Sequence, residues 1–198
     1  MIDGRYLAGQ FRKVPGWAST ANWWIDLSMA AGNPPANFYA SAPLVGRTLS
    51  RWDSIFHGDN KSPSELFLTK LALTTGGAGM IGQFKLCDYL LYYPFVDMDS
   101  TDVQDMDNTV NALERYTDGA GVQVIAVSQA PTLGSGTFTF NYVNQDGAER
   151  TSPVQYCGTT SATLGNIVTS QPASVAGLGP FLTLFGGDTG VRRILSYT

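Results

Sequence analysis

The sequence predicts a mainly β domain, of the β-sandwich or jelly-roll kind, preceded by a long irregular N-terminal segment. Three observations support this fold class: short apolar runs with strand-like alternation, one clear hairpin signal, and frequent turn residues between the runs. The 198 residues include 22 glycines and 10 prolines, which favour turns and irregular connections over long helices. We place the irregular segment at residues 1–62 and the β-rich domain at residues 63–198.

The segment 1–62 keeps neither helical nor strand periodicity for long. A short helical turn is predicted over residues 26–31, and Gly32, Asn33 and two prolines end it. Two interpretations stay open for the segment: loops that fold over the domain's own core, or an arm that lies on a neighbouring subunit. In the second interpretation, aromatic side chains serve as anchors. The interface candidates are the four tryptophans, Trp17, Trp23, Trp24 and Trp52.

Seven later stretches have the alternation or apolar composition of strands. The clearest signal is a hairpin in which Phe138, Phe140 and Tyr142 share one face, because an Asp146-Gly147 turn precedes the returning strand. A further turn is predicted at residues 115–119. The predicted strands are 65–74, 84–95, 122–127, 137–143, 150–156, 162–169 and 191–197.

Charged residues are scarce, and their balance excludes several kinds of partner. They make up 14% of the chain, against roughly 25% in a typical soluble domain. Such a neutral surface suits a protein that neighbouring subunits cover. With a net charge of −4 and no basic stripe, direct nucleic-acid binding is not predicted. No apolar run is long enough to span a membrane. The N-terminus lacks the apolar core of a secretory signal, so we expect a cytoplasmic starting compartment.

The two cysteines, Cys87 and Cys157, lie far apart in the sequence and form no CxxC pair. A zinc site is therefore not predicted. The favoured interpretation is two buried thiols in strands, and a disulfide between them is the alternative.

A glycine motif raises the possibility of a dinucleotide site. Gly77, Gly79 and Gly82 fit G-x-G-x-x-G after an apolar run, and Asp97 lies 20 residues after Gly77. This start resembles that of extended short-chain dehydrogenases and sugar-nucleotide epimerases. However, the motif comes late in the chain, the aromatic stretch after it favours a strand over the required helix, and hairpins follow in place of βα units. No tyrosine has a lysine four residues later, as that family uses. We interpret residues 77–82 as a turn between strands and keep NAD(P) binding as the less favoured alternative.

An acidic stretch, residues 97–111, contains five aspartates and no basic residue. Alternate oxygen ligands suit Ca²⁺, but Asp102 stands where an EF-hand loop needs glycine, and Asn108 where it needs glutamate. The favoured interpretation is a solvated acidic loop, or one that faces basic residues of another subunit. No metal and no cofactor is therefore predicted. The residues of the calcium alternative are Asp97, Asp99, Asp102, Asp105 and Asp107.

The sequence offers little support for an enzyme. His57 is the only histidine, and no G-x-S-x-G elbow is present, so no catalytic triad is predicted. The pair Trp23-Trp24 suggests an alternative function, a carbohydrate-binding β-sandwich in which tryptophans stack on sugars. Aromatic pairs more often pack within a core or an interface.

Several stretches together resemble a family of virion structural proteins of tailed bacteriophages, of the head decoration or minor capsid type. They are WIDLSM at 24–29, NFY at 37–39, LCDYLLYYP at 86–94, RYTDG at 115–119 and FTFNY at 138–142. The resemblance covers most of the chain and carries over no catalytic residues.

This resemblance implies a non-enzymatic capsid decoration or cement subunit that is assembled in the host cytoplasm and resides in the virion. The implied partners are further copies of the chain, in a homo-oligomer such as a trimer, and the major capsid protein. A structural protein of the neck or tail is the alternative placement.

Overall fold

A computed structural model describes residues 11–14, 23–36, 42–49, 67–68, 70–74, 83–110, 112–129, 136–157, 164–169 and 179–198. Over these residues the protein is mainly β, with one 3-10 turn (Leu27–Met29) and no α-helix, so the predicted fold class is confirmed. The strands are β1 (Arg12–Val14), β2 (Ala31–Asn33), β3 (Arg47–Thr48), β4 (Leu91–Tyr92), β5 (Gln104–Asp105), β6 (Thr137–Phe138), β7 (Phe140–Asn144), β8 (Glu149–Thr151), β9 (Gln155–Tyr156) and β10 (Val191–Tyr197).

The largest sheet has four antiparallel strands in the order β5-β10-β7-β8. Its central strand β10 is the predicted strand 191–197, and it pairs with β7 through two register irregularities. The other described pairs are two-stranded: β1 with β2, β3 with β4, and β6 with β9. The jelly-roll expectation is compatible with these small sheets and goes beyond what they show.

The predicted hairpin is confirmed as β7 and β8. Its turn forms because Asn144 Oδ1 accepts hydrogen bonds from the amides of Asp146 and Ala148, at 3.0 and 2.9 Å. Gly147 has a φ of +81°, in the left-handed region that favours glycine. The predicted strand 150–156 continues past this hairpin only in part, since Pro153 separates β8 from β9 and has no amide to donate.

The apolar core lies against the inner face of β7 and β10. The three predicted inward residues, Phe138, Phe140 and Tyr142, are all buried, which confirms the alternation of this stretch. Burial raises the pKa of Tyr142 to about 12, and its hydrogen bond to Asp188 adds to the increase. The buried cluster consists of Phe138, Phe140, Tyr142, Cys157, Val168, Leu182 and Val191.

The predicted strand 122–127 is wrong as a regular strand, although the segment packs against the core. Its carbonyls at Val122, Val124 and Ala126 accept hydrogen bonds of 3.1, 2.8 and 2.8 Å from amides in three separate segments. These carbonyls therefore bond to three separate segments, whereas those of a regular strand would bond to one neighbouring strand. Only Val127 forms a bridge, with Ile167.

Three other strand predictions are corrected. Of residues 84–95, only Leu91 and Tyr92 form a strand, which pairs with β3. Of residues 162–169, the described part 164–169 consists of turns and isolated bridges. In 65–74, the described residues form no strand. The predicted turn at 115–119 is confirmed, because Gly119 has a φ of +73° and its amide donates to the Tyr116 carbonyl at 2.7 Å.

Two described parts of the N-terminal zone contact the β-rich part of the chain. The helical turn predicted at 26–31 is present as the 3-10 turn, capped by Asp26, whose Oδ1 accepts from the Ser28 amide at 2.8 Å. The Asp26 amide donates to the Gly165 carbonyl at 2.7 Å, and the Ile167 amide donates to the Trp24 carbonyl at 3.0 Å. These bonds place residues 24–26 beside residues 165–167.

The second contact joins residues 44–46 to the region of Pro94 and Asp107. The Leu44 amide donates to the Pro94 carbonyl, the Gly46 amide to the Asp107 carbonyl, and the Asp107 amide to the Leu44 carbonyl, at 3.0, 2.8 and 2.9 Å. Nearby, the Tyr93 hydroxyl donates to Asn108 at 2.7 Å. Burial raises the pKa of Tyr93 to about 12. The division at residue 62 stays a prediction.

Candidate interaction surface

Within the acidic stretch, residues 97–105 form a short loop, which we name the acidic loop, and the side chain of Gln104 ties its end to its beginning. Gln104 accepts from the Asp97 amide at 2.8 Å and donates to the Asp97 carbonyl at 2.6 Å. Asp97 Oδ1 in turn accepts from the Asp99 amide at 3.0 Å. Asp97, Asp99, Asp102 and Asp105 are exposed. The loop therefore presents a negatively charged, solvent-facing surface.

The five calcium candidates are not brought together. Asp107 Oδ1 accepts from both the amide and the hydroxyl of Thr109, at 2.8 and 2.6 Å, and these hydrogen bonds lower the pKa of Asp107. Over the residues with described positions, no group of three or more His, Cys, Asp or Glu side chains is placed to hold a metal ion. The aspartate oxygens of Asp97 and Asp107 stabilise local turns instead.

Apolar side chains are exposed on both sides of the acidic loop. Phe95 precedes it and has a φ of +60°, a left-handed conformation that non-glycine residues rarely adopt. Val103 lies within it and Val110 follows it. A left-handed backbone such as that of Phe95 costs about 1–3 kcal/mol and tends to occur at functional positions. The surface around the acidic loop therefore combines exposed carboxylates with exposed apolar side chains.

A second exposed apolar surface, which includes the most exposed large apolar residue of the described structure, lies in residues 67–68 and 70–74, which we name the apolar segment. Phe67 is 77% exposed and Leu68 is 68% exposed. The described residues of the apolar segment form no hydrogen bond or ion pair with any other described residue. Their sequence nevertheless alternates as in a strand. The apolar segment thus combines strand-forming side chains with backbone groups that have no described partner.

The surface after the glycine motif is also partly apolar and exposed, at Phe84 and Leu86. Between them, the ammonium of Lys85 lies 5.7 Å from the ring centroid of Trp24 and 5.2 Å from that of Phe181. Cation–π contacts at such distances are weakly attractive. This arrangement covers one face of an interface candidate with a residue of its own chain.

The four interface candidates differ in what the structure describes. Trp23 and Trp24 are half-buried, and the buried Nε1 of Trp23 has no hydrogen-bond partner within the described residues. Trp17 and Trp52 lie outside the described residues, as do His57 and the glycine motif Gly77–Gly82. The apolar segment was not recognised as a surface from the sequence, because its alternation is the same as that of a buried strand.

No protein-family model matches this chain, and neither a curated protein nor a solved structure is found to match it. Among the residues with described positions, no helix is long and apolar enough to cross a membrane. The role of the protein is therefore inferred from its own sequence and surface.

The two cysteines occupy different environments, which gives a direct chemical prediction. Both are free, Cys157 is buried and Cys87 is exposed, so the expectation of two buried thiols is wrong for Cys87. Neither cysteine lies in a strand, and the disulfide alternative is not formed.

We expect one thiol of the native protein to react rapidly with a thiol reagent and the other only after unfolding. Partial desolvation raises the pKa of Cys87 and Lys85 partly offsets this, so the fast reaction should accelerate as the pH rises. Counting reacted thiols in the native protein, in C87S and in C157S checks the assignment. Two fast thiols, or loss of the fast phase in C157S, would contradict it.

Proposed function

We propose that this protein is a non-enzymatic structural subunit of a tailed-phage virion, a capsid decoration or cement subunit that stabilises the shell through inter-subunit contacts. The observation that supports this most is the apolar segment. Burying a side chain such as Phe67 or Leu68 contributes about 1.5–3 kcal/mol. Adjacent large apolar side chains that are mostly exposed are typical of surfaces that another protein covers.

The backbone of the apolar segment points to the same kind of contact. Strand-forming sequences whose amide and carbonyl groups lack partners are suited to pairing with a sheet edge of another chain. The outer strand β8 of the four-stranded sheet, by comparison, is polar and short. In an assembly, a neighbouring subunit would bury the apolar surface that the fold of the single chain leaves in water, and this burial would stabilise both.

Composition and sequence resemblance support the same proposal. With 14% charged residues, the surface carries few of the solvated charges that keep a free monomer soluble. The exposed acidic loop suits basic residues of a neighbouring subunit. Partners in this proposal are other copies of the chain and the major capsid protein. Binding energy is spread over many equivalent contacts, without a chemical step.

Substitutions in the apolar segment should weaken assembly and leave the fold intact. In the double variant F67S/L68S, we expect the thermal unfolding midpoint of the purified subunit to stay within about 2 °C of wild type, because exposed side chains contribute little to folding. Incorporation into particles should fall at least about tenfold, since about 1.4 kcal/mol of lost burial already gives that factor.

V154S is a matched control, because Val154 is 54% exposed and lies outside both the apolar segment and the acidic loop. Particles assembled in the presence of each variant and separated by density sedimentation give the incorporated fraction by quantitative immunoblotting. Equal incorporation of F67S/L68S and wild type would show that the apolar segment is not the contact.

A further inference from the structure

Four backbone carbonyl oxygens surround the side-chain nitrogen of Lys13. Its Nζ lies 3.2 Å from the carbonyl oxygen of Ser28, 3.1 Å from that of Ala30, 2.9 Å from that of Pro34 and 3.1 Å from that of Pro35. We name these four oxygens the carbonyl cradle. An ammonium group has three protons to donate. The four oxygens therefore surround the ammonium as ligands surround a bound cation. A single directed hydrogen bond would use only one of them.

The fold places two of these carbonyls independently of Lys13. The 3-10 turn orients the carbonyls of Ser28 and Ala30, and its Met29 is buried in the protein. Beyond the turn, Gly32 of β2 pairs with Lys13 of β1. It has a φ of +144°, and a Cβ there would clash with the Arg12 carbonyl oxygen. This pairing of β1 with β2 brings the Lys13 ammonium within reach of the cradle.

The carboxylate of Asp26 acts electrostatically on Lys13. Asp26 is only 8% exposed, and its Oδ2 is buried with no hydrogen-bond partner among the described residues. Its charge raises the pKa of Lys13, although desolvation is the larger effect and leaves the pKa lowered. The four converging carbonyls and the charge of this carboxylate both favour a cation at the position of Lys13 Nζ.

We propose that the carbonyl cradle is a cation-binding site for a primary ammonium group, that Lys13 is its tethered occupant, and that this bond holds β1 on the protein. β2 is the only strand with which β1 pairs in the described structure. The Lys13 contacts add four links from β1 to the turn and to the two prolines. Without the Lys13 ammonium, the cradle takes a free alkylammonium ion of matching size.

Chemical rescue tests this proposal. In K13A, hydrogen exchange of the β1 and β2 amides, measured by mass spectrometry or NMR, should become about tenfold faster or more, because hydrogen bonds to a charged group are lost. Propylammonium, which replaces the missing part of the side chain, should restore most of the protection at equal ionic strength. Tetramethylammonium carries the same charge without N–H donors and should not.

R12A is the matched control, because Arg12 is an exposed neighbour on β1, and its exchange should stay close to wild type. In K13M the retained side-chain stem fills the path to the cradle, so propylammonium should give no rescue. Unchanged exchange in K13A, or equal effects of both ammonium ions, would overturn the proposal.

A second measurement on the wild-type protein covers the case in which K13A does not fold. The ammonium protons of Lys13 should exchange with water at least about tenfold more slowly than those of Lys70, which is exposed, in NMR of lysine-labelled protein. Equal exchange of the two ammonium groups would overturn the proposal.

Discussion

Replacing Gly190 by alanine should destabilise the protein by about 3 kcal/mol or more, because two backbone segments cross there without room for a side chain. A Cβ at Gly190 would clash with the carbonyl oxygen of Gly119 and would lie 2.8 Å from the Gly121 nitrogen. Both obstacles are backbone atoms, so no rotamer change relieves them. The Gly121 amide also donates to the Thr189 carbonyl at 3.2 Å, which ties the crossing segments together.

The predicted effect is large because Gly190 immediately precedes the central strand β10. A shift at this point displaces Val191, a buried core residue whose amide donates to the Val122 carbonyl. Urea or guanidinium unfolding, followed by fluorescence, gives the change in the free energy of unfolding.

Alanine substitutions at two other glycines distinguish the effect of a steric clash from the effect of a left-handed backbone conformation. A Cβ added at Gly136 would meet no atom within 4 Å, so G136A should change stability by no more than about 0.5 kcal/mol. Gly121 has equally open space but a φ of +76°, so G121A should cost about 1–2 kcal/mol from the left-handed backbone alone. A cost of G190A as small as that of G136A would contradict the close crossing.

Replacing Asp188 by alanine should destabilise the protein by about 2–3 kcal/mol, because it leaves two buried donors without an acceptor. Asp188 Oδ2 accepts from the hydroxyl of Tyr142 at 2.6 Å, and its Oδ1 accepts from the side-chain amide of Asn144 at 2.8 Å. Tyr142 and Asn144 are both fully buried. The same Tyr142 hydroxyl accepts from the Phe185 amide at 2.9 Å, so the loss also loosens the loop before β10.

The stabilisation from Asp188 depends on pH in a defined direction. Burial raises the pKa of Asp188, but hydrogen bonds from Tyr142 and Asn144, with the charge of Arg150, outweigh it and leave the pKa below its ordinary value of 3.8. A lowered pKa in the folded state contributes stability above the ordinary value, and this is lost as the pH falls through the folded value. Wild type should therefore lose stability below about pH 4, where carboxylates titrate.

Unfolding curves at neutral pH and at successively lower pH compare wild type with D188A. The gap between them should be widest at neutral pH and should narrow in acid. D102A serves as the control, because Asp102 is exposed, and its curve should follow wild type. A gap that stays constant down to acid pH would show that the Asp188 charge does not stabilise the fold.

Local patterns in the sequence predicted the elements whose partners are also local. The β7–β8 hairpin follows from alternation around Asp146-Gly147, and the 3-10 turn follows from a short helical run that Gly32, Asn33 and two prolines end. Strand β10 was predicted at residues 191–197, although its partners β5 and β7 lie far away in the sequence. These elements have side chains whose pattern matches their environment.

The remaining errors arise where strand formation depends on an available partner. Residues 122–127 have strand composition, but three separate segments share their carbonyls. The hydrogen bonds of Leu44 and Gly46 with Asp107 join backbone atoms alone. A pattern of side chains in the sequence therefore cannot predict them. The close approach of Gly119 and Gly190 could not be predicted either, because nothing in the sequence distinguishes these two from the other glycines among the 22.

The candidate surface was predictable only in part. The exposure of four aspartates in the acidic loop agrees with both interpretations of its charge, a solvated loop or one that faces basic residues of another subunit. Exposure of the apolar segment was not predictable, because the same alternation specifies a strand at a core or at an interface. Trp23 and Trp24 are half-buried against their own chain, so the described structure gives the apolar segment more free surface than these tryptophans.

Quantitative mass spectrometry of purified phage particles tests the central claim most directly. If the protein is a capsid decoration subunit, its copy number relative to the major capsid protein should be fixed and should correspond to a multiple of the symmetry of the shell. A low, fixed copy number would place it in the neck or tail and contradict the decoration role. Absence from the particles, or a few copies that vary between preparations, would contradict a virion role altogether.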